Sequence, residues 1–107
     1  MKTNISILSI ALLLCFSLYL LADEQEKHNY KPAAGYVPDA KTAIKIAEAV
    51  WLPIYGKEIY NEKPFIAHLE NSIWIVEGTL KEGWAGGVAL AEIAKDTGCI
   101  LRVSHGK

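Results

Sequence analysis

From Ile5 to Ala22 the chain carries no charge, running through Leu12-Leu13-Leu14 and Leu18-Tyr19-Leu20-Leu21. A short head with Lys2 precedes this run, and the acidic Asp23-Glu24-Gln25-Glu26 follows it. A positive head, an apolar stretch and a polar continuation make up the layout of a secretory signal. The run is also close to the ~20 residues that span a bilayer, and a cut after Ala22 would place the bulky Leu20 where signal cleavage prefers a small residue. A cleaved signal peptide and an uncleaved signal anchor therefore both stand for residues 1–22. Either one leaves the rest of the chain on the periplasmic side, in the anchored case held at the inner membrane, because the positive head stays in the cytoplasm. Lipidation at Cys15 fits poorly, since three leucines precede it where a lipoprotein signal needs small residues.

About 85 residues remain beyond that segment, enough to bury somewhat more than about 60% of the unfolded surface around one helix-on-sheet core. Without Lys2, ten basic groups face twelve acidic ones. A domain of that balance lacks the basic patch that nucleic acid demands. Cys99 is then the one remaining cysteine, so no internal disulfide is available, and its expected place is a buried position on a strand.

Residues 23–36 are polar and then rich in Pro, Ala, Gly and Tyr, a linker that becomes an ordered lead-in near Tyr36-Val37. A single domain over residues 37–107 follows. Pro38-Asp39 starts a helix with Asp39 as N-cap, its carboxylate accepting from the backbone near Thr42. Ala40, Ala43, Ile44, Ala47, Val50, Trp51 and Ile54 recur at helical spacing and make one apolar stripe. Pro53 is expected to kink the last turn or end the helix near Trp51-Leu52, with Gly56 as the stop. Lys57 to Pro64 is charged and turn-like, anchored by Ile59 and Tyr60.

Turn signals divide the remainder into strands at Phe65–Leu69, Ile73–Leu80, Gly87–Ala94 and Cys99–Ser104, joined by turns at Glu70-Asn71-Ser72 and Asp96-Thr97-Gly98. Short connections make them antiparallel. The expected fold is α+β: an N-terminal helix packed on a four-stranded antiparallel sheet, a reduced cystatin-like or nuclear-transport-factor-two-like cone. Alternation leaves neither sheet face polar. Trp74 and Val76 oppose Ile73 and Ile75, Val88 and Leu90 oppose Ala89, Ala91 and Ile93, and Cys99, Leu101 and Val103 oppose Ile100, Arg102 and Ser104. One helix covers one face. The other must meet the lead-in from Tyr30 to Val37, a second copy in a homodimer, or a different protein.

Catalytic and metal-binding patterns are scarce. His28, His68 and His105 lack metal spacing, His68 and Glu70 read as a solvated surface pair, and no nucleophile elbow or phosphate-cradling loop occurs. The glycines from Gly83 to Gly87 precede a strand, not a helix, so they offer no helical amide array to an anion. No cofactor or metal is expected, and no enzymatic activity. Trp74, set between β-branched residues, belongs to the core. Trp84 has only Gly83, Ala85, Gly86 and Gly87 for local cover, which leaves folding back onto the core and contacting a partner both open. Lys81, Glu82, Gly83, Trp84 and Ala85 are the candidate partner-binding residues.

The run Ala43…Ala47…Tyr55-Gly56, Lys63-Pro64-Phe65, Trp74-Ile75-Val76-Glu77-Gly78-Thr79, Gly86-Gly87-Val88 and Lys95 to Leu101, with the closing Ser104-His105-Gly106-Lys107, resembles the small bacterial immunity proteins with a nuclear-transport-factor-two fold. Members sit beside polymorphic toxin genes such as those of Rhs loci, and several begin with an export signal. The resemblance covers residues 37–107 and implies a protein that neutralises a cognate toxin by stoichiometric occlusion. The fold usually has more helices and strands than these residues supply. An envelope α+β module that inhibits a hydrolase or binds peptides is the alternative. Membrane contact in either case is confined to the N-terminal segment.

Overall fold

A computed structural model describes residues 28–106 of the chain, so the expected signal peptide or anchor over residues 1–22 lies outside the described residues. From Pro32 onward the chain forms one unit. Its elements are α1 (Ala40–Tyr55), a 3-10 turn (Lys57–Glu62), β1 (Ile66–Glu70), β2 (Ile73–Glu77), β3 (Ala89–Ala94) and β4 (Ile100–His105). The strands form a meander in the order β1-β2-β3-β4, antiparallel throughout. The expected class and topology are both present.

The helix starts where its cap dictates. Asp39 is extended, and its carboxylate accepts from the Thr42 backbone N–H at 2.8 Å and from the Thr42 hydroxyl at 2.7 Å. Those two bonds hold the Asp39 carboxyl below its usual pKa. Ala43, Ala47 and Trp51, four residues apart, are fully buried against the sheet. Their facing residues on β3 are Ala89, Ala91 and Ile93, also fully buried, and Val76 on β2 completes the layer. Alanine against alanine lets the helix lie close, while Trp51 fills the space beyond and meets Phe65 edge-on at 5.1 Å between ring centroids. Its indole N–H reaches the Leu90 carbonyl at 3.3 Å.

Four local expectations are corrected. Of the two outcomes expected of Pro53, an end near Trp51-Leu52 is not met: α1 continues to Tyr55, where the expected stop Gly56 donates its N–H to the Leu52 carbonyl and turns the chain with φ of 77°. Ile54 leaves the apolar stripe and is 58% exposed. Of the two anchors between Lys57 and Pro64, Ile59 is fully buried but Tyr60 is exposed. Cys99 is exposed, because it lies just before β4.

The sheet turns follow their residues. Glu70 pairs with Ile73, leaving Asn71-Ser72 as a two-residue loop with φ of 48° and 63°, the mirror-image turn that suits strand twist. Gly98 takes a φ of 78° in the β3–β4 turn. Between Glu92 and Ile93 the β3–β4 register slips, so Arg102 faces Glu92 but Ile100 faces Ile93. This bulge breaks the simple alternation expected of the fourth strand and moves Ile100 into the row of Trp74 and Ile93.

The lead-in packs on the helix side. Tyr36 and Val37 donate to the Asp96 and Lys95 carbonyls, Val37 is fully buried, and its carbonyl receives the Trp74 indole N–H at 2.8 Å. Trp74 is therefore a core residue with its polar edge satisfied. The opposite face, with Ile66, His68, Ile73, Ile75, Leu90, Glu92, Arg102 and Ser104, is left uncovered by the described residues and is more polar than expected.

Gly87 lies backbone to backbone against Gly106. A Cβ on Gly87 would sit 2.3 Å from the Gly106 carbonyl carbon. Gly87→Ala should cost about 2 kcal/mol or more, because neither backbone can yield. Gly56→Ala meets open space but keeps φ of 77° with ψ of −174°, a region essentially reserved for glycine, and should cost about 1 to 3 kcal/mol from backbone strain alone. Urea midpoints of the two variants check both costs, and an unchanged midpoint for Gly87→Ala would contradict the close approach of the two backbones.

Candidate functional site

A cleft of about 500 Å³ opens between the C-terminal turn of α1, the 3-10 turn, the β2–β3 loop and the end of β4. Tyr55, Ile59 and Glu62 line one side, Leu80, Lys81, Trp84 and Ala85 the other, with Thr79, Gly87 and His105 between them.

Glu62 organises this region. Its Oε1 accepts from the Ala89 backbone N–H at 2.7 Å, its Oε2 lies 2.9 Å from His105 Nε2, and its own carbonyl accepts from the Thr79 N–H at 2.6 Å. One residue thus joins the 3-10 turn to the end of β2, the start of β3 and the end of β4. Gly78 is required beside it: a Cβ there would stand 2.7 Å from Glu62 Oε1. The β2–β3 loop is closed below by the Gly78 N–H donating to the Ala89 carbonyl. Strand β2 accordingly ends at Glu77 and β3 begins at Ala89, so the loop is longer than the sequence boundaries at Leu80 and Gly87 suggested.

His105 Nδ1 lies 2.8 Å from the Gly106 carbonyl. Both ring nitrogens face acceptors, an arrangement that suits the doubly protonated ring. The hydrogen bond to Glu62 raises the His105 pKa above 6.5, helped by the Gly106 carbonyl and the Glu62 charge and opposed by partial burial. Tyr55 packs on the imidazole at 5.2 Å between centroids.

The candidate contact residues lie on the outer wall. Lys81, Glu82, Gly83, Trp84 and Ala85 are all exposed, Trp84 at 56%, and Gly83 has φ of 81°. The Lys81 ammonium sits 5.3 Å from the Trp84 ring centroid, a cation–π contact, and the Trp84 backbone N–H donates to the Lys81 carbonyl. Lys81, Trp84 and Ala85 share the cleft; Glu82 and Gly83 do not line it. Glu62, His105 and Tyr55 were missed in the sequence. Glu62 and His105 are 43 positions apart, and no local pattern joins them. His68 and Glu70 stand 4.0 Å apart on the surface, the solvated pair expected.

Protonated His105 stabilises the fold in full below the ordinary histidine pKa, and that contribution disappears as pH rises through the raised value. Urea midpoints from about pH 6 to about pH 9 should therefore fall more steeply for the wild type than for His105→Asn. Parallel curves would show that the pair does not couple to folding.

A family model described as NTF2 fold immunity protein matches residues 42–107. Two Escherichia coli K12 proteins are similar to the chain. The uncharacterized protein YhhH is 40% identical over 74 residues, 66% of this chain and 58% of that protein. The uncharacterized protein YbbC is 40% identical over 67 residues, 61% of this chain and 55% of that protein. The matches thus span little more than half the length of these relatives. No solved structure matches. The family match takes in nearly all of α1, the whole sheet and both walls of the cleft, and on that extent the chain belongs to the NTF2 fold immunity protein family.

Proposed function

We propose that the chain is an exported immunity protein that binds one cognate toxin domain and blocks it by occlusion, without turnover. The observation that carries this reading is Trp84, 56% exposed on a loop whose stems are fixed by Glu62, Gly78 and Gly87, in a chain of an immunity family. A large aromatic ring on a held loop loses little conformational freedom on binding, and tryptophan is enriched among interface hot spots. Leu80, 42% exposed, and Lys81 extend the contact on the same loop. Export rests on residues 1–22, and the toxin would be met in the periplasm.

The test is co-expression with the candidate toxin domain found by sequencing the neighbouring genes, scored by growth and by complex stoichiometry. Equimolar complex and protection in proportion to dose are expected. Rescue at far below equimolar protein would point to catalysis instead. Trp84→Ala should weaken the complex by about 2 kcal/mol or more with little change in thermal stability. A large stability loss would assign the ring to the core, and unchanged affinity would move the interface elsewhere. A reporter enzyme active only in the periplasm, fused after residue 22, tests export.

A further inference from the structure

Among the described residues the sheet ends in two unpaired edge strands, β1 and β4, and they differ. The register of β4 is broken by the bulge at Glu92/Ile93, a feature that discourages strand addition. Strand β1 pairs regularly along all of its five residues and carries no bulge, so its free edge is the one suited to another strand. Ile66 and Leu69 on it are 57% and 45% exposed.

Beside the start of β1 lies a groove of about 430 Å³ between α1 and the segment Lys63-Pro64-Phe65. Ile44, Pro64 and Phe65 give it an apolar floor, and Lys41, Lys45 and Lys63 surround it. Glu48 is the single carboxylate in the lining, so three ammonium groups face one carboxylate there. Lys63 is held in place over the Tyr60 ring, 4.4 Å from its centroid. Among the described residues none of the three lysines forms an ion pair. The groove shares no lining residue with the Trp84 cleft.

The geometry points to a second interaction surface: the β1 edge accepts an extended, acidic segment of a partner protein as a fifth strand. One apolar side chain of that segment enters the groove, and carboxylates two residues to either side of it meet the lysines. Residues at i, i+2 and i+4 of a strand share a face, so the pattern acidic-x-apolar-x-acidic fits. A second copy of this chain fits less well, because two-fold pairing through β1 would present Ile66–Glu70, which carries one carboxylate and lacks the acidic-x-apolar-x-acidic run.

The probe is the blocked peptide Thr-Glu-Thr-Val-Thr-Glu-Thr, titrated into the isotope-labelled full chain and followed by amide shifts. Shifts at Ile66–Glu70 and around Ile44 are expected, with the lysine-for-glutamate peptide binding about ten-fold or more weakly. Lys45→Glu with Lys63→Glu should reverse that preference. The peptide comparison needs no change in the protein, so it decides even if that variant fails to fold. Equal binding of the two peptides, shifts centred on the Trp84 loop, or a peptide-free dimer paired through β1 would each overturn the proposal.

Discussion

The Glu62 carboxylate is the interaction on which the cleft end of this domain depends. A sheet of four short strands and one helix has little surface with which to hold a long loop. Glu62 supplies the hold at one point, binding a backbone N–H of β3, the imidazole of β4 and, through its carbonyl, the residue after Gly78. A half-buried carboxylate needs such partners. This residue brings the 3-10 turn, the β2–β3 loop and β4 to one place, and Tyr55 of the helix joins them by packing on His105.

The rest of the core works by size. Ala43 and Ala47 on α1 and Ala89 and Ala91 on β3 are fully buried, and their small side chains bring helix and sheet together. Trp51 and Trp74 occupy the two ends of that layer, each with its N–H on a carbonyl, Leu90 in one case and Val37 in the other. The second of these bonds also fastens the lead-in, which lies on the helix side and leaves the other sheet face without cover from the described residues.

Features written in local residue chemistry were legible in the sequence. The Asp39 cap, the Gly56 stop, the two hairpin turns and the core role of Trp74 all follow from one residue and its immediate neighbours. Features that depend on distant partners were not. Pro53 stays within the helix, whose last turn brings Tyr55 against His105. The register slip that redirects Ile100 arises between two strands, not within one. The Trp84 loop was legible as glycine-rich and poorly covered, but its true extent was not. Its stems are set by Glu62 and by the contact of Gly87 with Gly106, and neither can be read from spacing.

That backbone contact between Gly87 and Gly106 has a consequence for how such a protein can diversify. The loop is closed at its base by main-chain bonds, by glycines and by one carboxylate that lies outside it. Side chains between Leu80 and Gly86 bear little of the load of folding, since Leu80 to Gly86 are all exposed. Such a hairpin can exchange one set of exposed side chains for another while its frame stays still, so sequence change in the loop is separated from the problem of remaining folded.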